Sequence, residues 1–417
     1  MDSKVFDYAK EEYAALGIDV EAVLSQLDAI PISIPCWQGD DVAGFEKPDA
    51  KLGSGGAVVT GNYMGKARSI AELQSDAEKA FSLIPGKKRF NLHASYGDFF
   101  GTLPERNAIT PENFAGWADW ANSQDVKLDF NPTYFSHPKS DDGFTLASLD
   151  VGIREYWIEH GIACRKIAES LGKAVGETVV TNFWIPDGYK DTPINRRIHR
   201  QHLEASLDKI FAEKIDPGTN IDAVECKLFG IASESYVVGS HEFYLSYAVK
   251  NQMTLCLDAG HFHPTETLAD KISSVMQFVP GLLFHLSRGV RWDSDHVVIV
   301  DDATQAAVSE VVRGGYLERT AIGLDFFDAS INRVAAWVIG VRSVRKALLN
   351  ALLEPTAKLE AAEADGDYTA RLAWLEASKY LPSQVVWNAY LERSGVPSEF
   401  AWMDEIKTYE RNVLSAR

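Results

Sequence analysis

Cysteine is scarce in this chain, with four in 417 residues: Cys36, Cys164, Cys226 and Cys256. No two form a C-x-x-C pair, and three lie in apolar, strand-like runs where a thiol acts as a small hydrophobe. That usage excludes a disulfide framework and fits a reducing, cytoplasmic setting. Positive charge is scarce too. Lys and Arg number 41 against 59 Asp and Glu, for a net charge of −18. Nucleic acids and anionic membranes demand basic patches, so neither is an expected partner. No apolar run reaches the roughly 18 residues of a membrane helix. The N-terminus lacks the charged-then-apolar pattern of a leader. No G-x-G-x-x-G turn leads from the first strand-like run into a helix, which weighs against a dinucleotide-binding open sheet.

What is present is an ordinary globular composition, 46% hydrophobic and 24% charged. Residues 4–28 carry helical spacing, with Phe6, Tyr13, Leu16 and Val20 on one face. Eight β-rich runs follow, at 30–39, 88–97, 125–135, 177–188, 222–230, 253–263, 281–290 and 320–329. Helix-like segments separate most of them. Nearly continuous apolar strands alternating with helices predict a parallel sheet covered on both faces. Eight such strands close an α/β fold of the (β/α)8 TIM-barrel type. After residue 329 the text is helical to the end, apart from the break at Pro355. The expected organisation is a barrel domain over 1–353, with an N-terminal helix, and a helical C-terminal extension over 354–417 that packs in an oligomer. The polar, glycine-rich stretch 39–66 reads as a loop over the mouth.

In a barrel of this kind, chemistry sits at the C-terminal ends of the strands. From the fifth run onward every end carries a carboxylate or an imidazole. Glu225 and Lys227 end the fifth, Asp258 and His261 the sixth. His285 ends the seventh and is followed by Asp293 and Asp295 in "RWDSDHV". Asp325 ends the eighth. A single Asp at a strand end is most often a helix cap, and Asp328 in "DASINR" reads as the cap of the long helix after it. Asp187 in "PDG" reads as a turn residue, and His137 and His263 as loop residues. Four successive strand ends bearing such groups are another matter, because buried charges are rare unless paired or metal-bound. A divalent cation of intermediate hardness, Mn2+, Co2+ or Mg2+, suits a set richer in carboxylate than imidazole; Zn2+ is compatible, although no thiolate joins the set. Glu225, Asp258, His285 and Asp325 make one site, a ligand from each of four strands. His261, Asp293 and Asp295 make a second, more open one nearer the mouth. Gly260 is expected to give the sharp turn between Asp258 and His261.

The stretches "LDAGHFHPTE", "VRWDSDHVV", "AVECKLFG", "IGLDFFDASINR" and "CWQGDDVAGFE", in this order-specific combination, resemble the L-rhamnose isomerase family. The resemblance extends to "KALLNALLEPTA" and "GDYTARL", and so covers essentially the whole chain. It implies a metal-dependent, cytoplasmic, homotetrameric isomerase that prefers Mn2+, holds two ions per subunit, and converts L-rhamnose to L-rhamnulose at the start of L-rhamnose breakdown. By the same resemblance, Lys227 lies near the substrate oxygens, and His93 and Trp184 line the pocket. Glu225 would be shared between the ions. The expected chemistry is hydrogen transfer between C2 and C1, as a metal-assisted hydride shift or through an enediol. The hydride shift is favoured because the carboxylates are committed to metal. Lys227 would stabilise charge on the carbonyl oxygen, Asp325 would move hydroxyl protons, and His93 would protonate the ring oxygen as the sugar opens. The alternatives are an isomerase acting mainly on another aldose and, against the net charge, a two-metal hydrolase.

Overall fold

A computed structural model describes residues 3–46, 61–228, 235–290 and 292–417. Eight parallel strands form a closed barrel. They are β1 (Ile32–Pro35), β2 (Lys88–His93), β3 (Lys127–Asn131), β4 (Val179–Trp184), β5 (Asn220–Glu225), β6 (Thr254–Asp258), β7 (Leu282–Leu286) and β8 (Thr320–Leu324). Closure is made by β8 against β1, where Ile322 pairs with Ile32 and Gly323 with Ser33. All eight expected strands are present in the expected order.

The strands alternate faces as a pleat requires. On β5 to β7, Val224, Leu255, Leu257 and Phe284 face outward and join the large core under the helices. Ala223, Cys256 and Leu283 face inward and make a small apolar layer with Val180 and Ala321. Two residues further along each strand, the inward positions become Glu225, Asp258 and His285. The barrel interior is thus an apolar plug with an ionisable layer above it. Cys226 is fully buried in the outer core.

The helices start and stop where their sequences provide caps. Val151–Val175 opens on Asp150, whose carboxylate accepts from the Gly152 and Ile153 amides, and closes on Gly176 at φ 66°. Ile70–Phe81 opens on Ser69, which accepts from Glu72 N–H. The single N-terminal helix expected over 4–28 is two helices, Ser3–Ala14 and Val20–Ala29. Gly17 turns left-handed at φ 83°, and Asp19 caps the second helix through the Glu21 and Ala22 amides. A further helix, His241–Asn251, lies between β5 and β6. The long helix near the end spans Arg333–Leu352 and is capped by Asn332, not by Asp328. The Asp328 carboxylate instead accepts from Ser330.

In the C-terminal helices, Trp387 and Tyr390 are buried in the same core as the barrel helices. Tyr390 donates to Asp28, and Arg417 pairs with Asp76. The helix Tyr368–Ser378 buries none of its residues. Of the 39–66 loop, residues 47–60 lie outside the described residues. Its flanks are tied down: Asp40 accepts from Tyr96 and from Gly44 N–H, Asp41 pairs with Arg333, and Glu46 pairs with Arg106.

Candidate metal centre and active site

The four strand-end ligands converge. One donor atom from each of Glu225, Asp258, His285 and Asp325 lies within 4.8 Å of the others. His285 Nδ1 is 3.1 Å from Asp325 Oδ2 and 3.3 Å from Glu225 Oε2. None of these approaches is a hydrogen bond, and both His285 ring nitrogens and Glu225 Oε1 are buried without a hydrogen-bonding partner. Nitrogen and oxygen atoms brought this close together without hydrogen-bond geometry between them fit a cation as their common partner. Glu225 is steadied from the side by Asn182, whose Nδ2 donates to Oε2 at 2.5 Å. Asp325 is held by Trp37, whose Nε1 donates to Oδ1 at 3.1 Å.

The outer set is only partly gathered. His261 Nδ1 lies 2.9 Å from Glu225 Oε1, and its Nε2 lies 3.3 Å from Asp293 Oδ2. Lys227 Nζ stands 3.3 Å from the same Nε2 and bonds Asp293 Oδ2. Asp293 and Asp295 belong to a strand, Trp292–His296, that hairpins back on Arg288–Val290, not to a free loop. Asp295 sits at φ 46°, a left-handed conformation rare for a side-chain-bearing residue and typical of functional positions. Among the described residues, His261, Asp293 and Asp295 do not close into a ligand cluster as tight as the inner one.

Electrostatics follows from crowding. Burial and the neighbouring carboxylates Asp325 and Glu225 push Asp258 well above the usual carboxylate range, against the pull of His261. Burial, with Asp293 and Asp325 beside it, does the same to Asp295. Burial opposes charge on Lys227, but Asp293 and Asp295 outweigh it and keep the ammonium protonated. A cation at this mouth would relieve the repulsion that raises the two aspartates.

The opposite wall is aromatic. His93 packs edge-on against Trp37 at 5.1 Å and Phe135 at 5.5 Å between ring centres. Phe135 meets Trp184 at 5.6 Å, and Lys227 Nζ lies over the Trp184 ring at 5.3 Å. Trp184 Nε1 is buried without a partner. His93 Nδ1 is pinned 3.1 Å from Thr133 Oγ1. Burial, then the Arg106 guanidinium, push its pKa down to about 3, so the ring is neutral. Arg106 braces this wall, donating to the Thr133 and Phe135 carbonyls.

Of the residues read from the sequence as site candidates, Glu225, Asp258, His285 and Asp325 gather at one point, and His261, Asp293 and Lys227 contact one another beside it. Asp187 does not join them: it is buried, accepting from Thr145 and Ala147, and anchors a loop. Sequence reasoning missed Trp37, Asn182, Thr133, Phe135 and Arg106. Trp37 was legible, since "CWQG" ends the first strand as the other ligands end theirs. Cys256 was set aside from the ligands, yet its sulfur lies within 4.8 Å of ligand atoms of Glu225 and His285. Gly260 has an ordinary φ. A Cβ there would stand 2.7 Å from Asp293 Oδ1 and 3.2 Å from Asp258 Oδ1, so glycine gives room to two carboxylates rather than a special turn.

The chain matches the family model described as L-rhamnose isomerase (RhaA) over residues 1–417. It is 59% identical over 414 residues to an L-rhamnose isomerase of Rhodopirellula baltica, covering 99% of this chain and 96% of that one. It is 56% identical to one of Yersinia pseudotuberculosis, covering 99% of each. Among solved structures, one from Anabaena variabilis described as a sugar phosphate isomerase/epimerase aligns with a TM-score of 0.50 at 13% identity, over 78% of this chain and 99% of that one. That likeness concerns the barrel fold alone.

Proposed function

The chain belongs to the L-rhamnose isomerase family and is an aldose–ketose isomerase acting on L-rhamnose, and we propose how its own residues carry the reaction. The observation that carries this reading is the convergence of Glu225, Asp258, His285 and Asp325 on one point at the barrel mouth. Mn2+ is the expected ion there, with His261, Asp293 and Asp295 taking a second; Co2+, Mg2+ and Zn2+ also suit the donors. Such ions supply Lewis-acid polarisation of the sugar's oxygens.

The protein's part is positioning and proton traffic. Trp184, Phe135, Trp37 and His93 form an apolar, aromatic face for the deoxy end and ring carbons of the sugar. The unpartnered Trp184 Nε1 is available to a sugar hydroxyl. Lys227, fixed by Asp293 and the Trp184 face, donates to the carbonyl oxygen as charge grows on it. Asp325, with Oδ1 held by Trp37, stands beside the sugar hydroxyls and takes part in moving their protons. His93 is neutral, so it assists ring opening as a hydrogen-bonding group rather than as a preformed acid. Hydrogen passes between C2 and C1 as a hydride, since the buried carboxylates have imidazole or ammonium neighbours and none stands apart as a base. Isomerisation in deuterated water checks this: product carbon free of solvent deuterium is expected, and appreciable label at C1 or C2 would sink it.

Chelation tests the reading as a whole. Removing divalent ions should abolish ketose formation from L-rhamnose while the far-ultraviolet circular dichroism stays unchanged, and Mn2+ should restore turnover. Activity that survives chelation would overturn it. The described helices contain none long and apolar enough to cross a membrane. Four free, buried cysteines support a cytoplasmic location. Exposed Tyr368, Leu372 and Tyr380 support an oligomeric contact made by the C-terminal extension 354–417 in a homotetramer. Sedimentation of L372E should show smaller particles if they form that contact.

A further inference from the structure

Three segments meet behind His93, and one buried ion pair ties them together. Arg106 lies in the single turn Arg106–Ala108, between β2 and β3, and is almost inaccessible. Its Nη1 donates to the Thr133 carbonyl at 3.0 Å and to the Phe135 carbonyl at 2.5 Å, and its Nη2 reaches the Ser136 carbonyl at 3.4 Å. Ser136 sits at φ 53°, a left-handed conformation uncommon for a residue with a side chain. The loop after β3 thus turns three carbonyls onto one guanidinium. The remaining donors go to Glu46: Nε lies 2.8 Å from Oε1, and Nη2 lies 2.6 Å from Oε2. Glu46 belongs to the loop after β1, which is seated on the end of β2. Phe45 N–H donates to the Ser95 carbonyl at 2.8 Å. A Cβ on Gly44, at φ 67°, would meet that same carbonyl oxygen at 2.8 Å.

Thr133 links this pair to the mouth. Its carbonyl is held by Arg106, and its N–H donates to His160 Nε2 at 3.0 Å. Its Oγ1 lies 3.1 Å from His93 Nδ1 and accepts from Ser95 N–H at 3.3 Å. Phe135, held by the same guanidinium, packs edge-on against both His93 and Trp184. We propose that Glu46 and Arg106 are positioning residues for His93: the pair fixes the imidazole in the mouth through Thr133 and Phe135 and touches no substrate itself. The inference rests on the reading of His93 as the group that assists ring opening. A two-point guanidinium–carboxylate contact fixes plane as well as distance, which a lone charge cannot do. Loosening it frees the loop after β3, and the His93 ring turns away from the sugar's ring oxygen.

A double-mutant cycle on the full, Mn2+-loaded enzyme tests this, because a general loss of folded protein scales every background equally. E46Q should lower kcat/KM for L-rhamnose by about 10- to 100-fold. In an H93A background the same change should cost less than about twofold, since the group it acts through is gone. T133V should repeat both results, and T133S should recover most of the loss. An equal factor in both backgrounds overturns the proposal, and so does unaltered turnover in E46Q. H93A that matches the wild-type rate removes the His93 reading and the proposal together, whereas an impaired H93A with a multiplying E46Q effect removes the proposal alone. T133V leaves the ion pair intact, so its result against T133S decides the matter where E46Q fails to fold. It also serves as the second background, with the same expectation, where H93A is too slow to measure.

Discussion

Both ends of the barrel bury charge, and they treat it in opposite ways. At the N-terminal end, beside a cavity of about 1230 Å³, Asp129 is nearly inaccessible. Its Oδ1 accepts from Arg89 Nη2 and from Val180 N–H, both at 2.9 Å. Its Oδ2 accepts from Ser33 Oγ at 2.6 Å and Arg89 Nε at 2.9 Å. Four donors of the chain itself satisfy one carboxylate. At the C-terminal end, Glu225 Oε1, Asp293 Oδ1, His261 Nδ1 and both His285 nitrogens are buried with no hydrogen-bonding partner. Buried charge alone therefore does not mark the functional end. Ligand atoms that the fold leaves unpaired do.

Substitution at each end should separate the two cases most strongly. E225Q removes the carboxylate that touches both histidines, so kcat/KM should fall by about 10³-fold or more, roughly 4 kcal/mol of transition-state stabilisation. Its melting temperature in the presence of chelator should barely move. D129N should do the reverse. Breaking a buried pair costs about 3–5 kcal/mol of stability, while turnover below the melting point stays within about twofold. Steady-state kinetics and urea denaturation on the two variants give the comparison. Equal loss of stability in both would collapse the distinction.

This contrast also explains what the sequence could and could not tell. "LCLD" and "KLDF" both place an aspartate on the inward face of an apolar strand, Asp258 as the last residue of β6 and Asp129 midway along β3. The residue type alone does not say which of the two the fold satisfies. The difference lies in Arg89, forty positions before Asp129, and in Ser33, which only the closed barrel brings alongside. The strand count and order were legible because each run is short, apolar and bounded by turn residues. The candidate inner ligands stood out because they fall at the ends of four consecutive strands. Asn182 and Thr133 were not, since an amide or hydroxyl within a strand carries no signal until its partner is in place. The N-terminal break was visible in Gly17 and Asp19, which are a helix stop and a cap, and a helical face drawn through both overrode it.

A smaller effect is expected from a second neutralisation at the mouth. Asp258 is held above its usual range by burial and by Asp325 and Glu225. D258N removes one of the repelling charges, so the ion-free protein should become more stable by about 1–4 kcal/mol, even as Mn2+ binding is lost. Calorimetry with chelator present measures it. Destabilisation of the ion-free D258N protein would mean that the mouth, like the floor, is satisfied without an ion.

The helix Val151–Val175, which backs the aromatic wall of the mouth through His160, should respond to pH. His160 Nδ1 is 2.9 Å from the Arg106 carbonyl, and Nε2 accepts from Thr133 N–H at 3.0 Å. The neutral ring is fully satisfied, and burial holds its pKa at about 3 against an ordinary 6.5. Between those values the unfolded chain binds the extra proton and the folded one does not. Stability from this group is therefore complete above 6.5 and declines as pH falls toward 3. At pH 5 the loss is about 2 kcal/mol. H160Q should flatten that part of the profile in urea titrations at pH 7 and 5, whatever its absolute stability. An unchanged slope would assign the acid sensitivity elsewhere.

The finest test uses two glycines with the same clearance at opposite ends. A Cβ on Gly323 would meet His285 Cδ2 at 3.3 Å, and one on Gly218 would meet Asp216 Oδ1 at 3.3 Å. Neither glycine has a positive φ, so backbone strain does not separate them. At Gly218 the neighbour is an exposed side chain that can swing into solvent. At Gly323 it is a buried ring whose Nδ1 must stay aligned with Glu225 and Asp325. A shift of a few tenths of an ångström there misplaces a ligand without opening the core. G323A should lower Mn2+ affinity and kcat/KM by about 10-fold with under about 1 kcal/mol change in stability. G218A should leave all three unchanged. If G323A also left them unchanged, the inner ligands would tolerate displacement, and the site's selectivity would have to reside in the charges of its residues rather than in their placement.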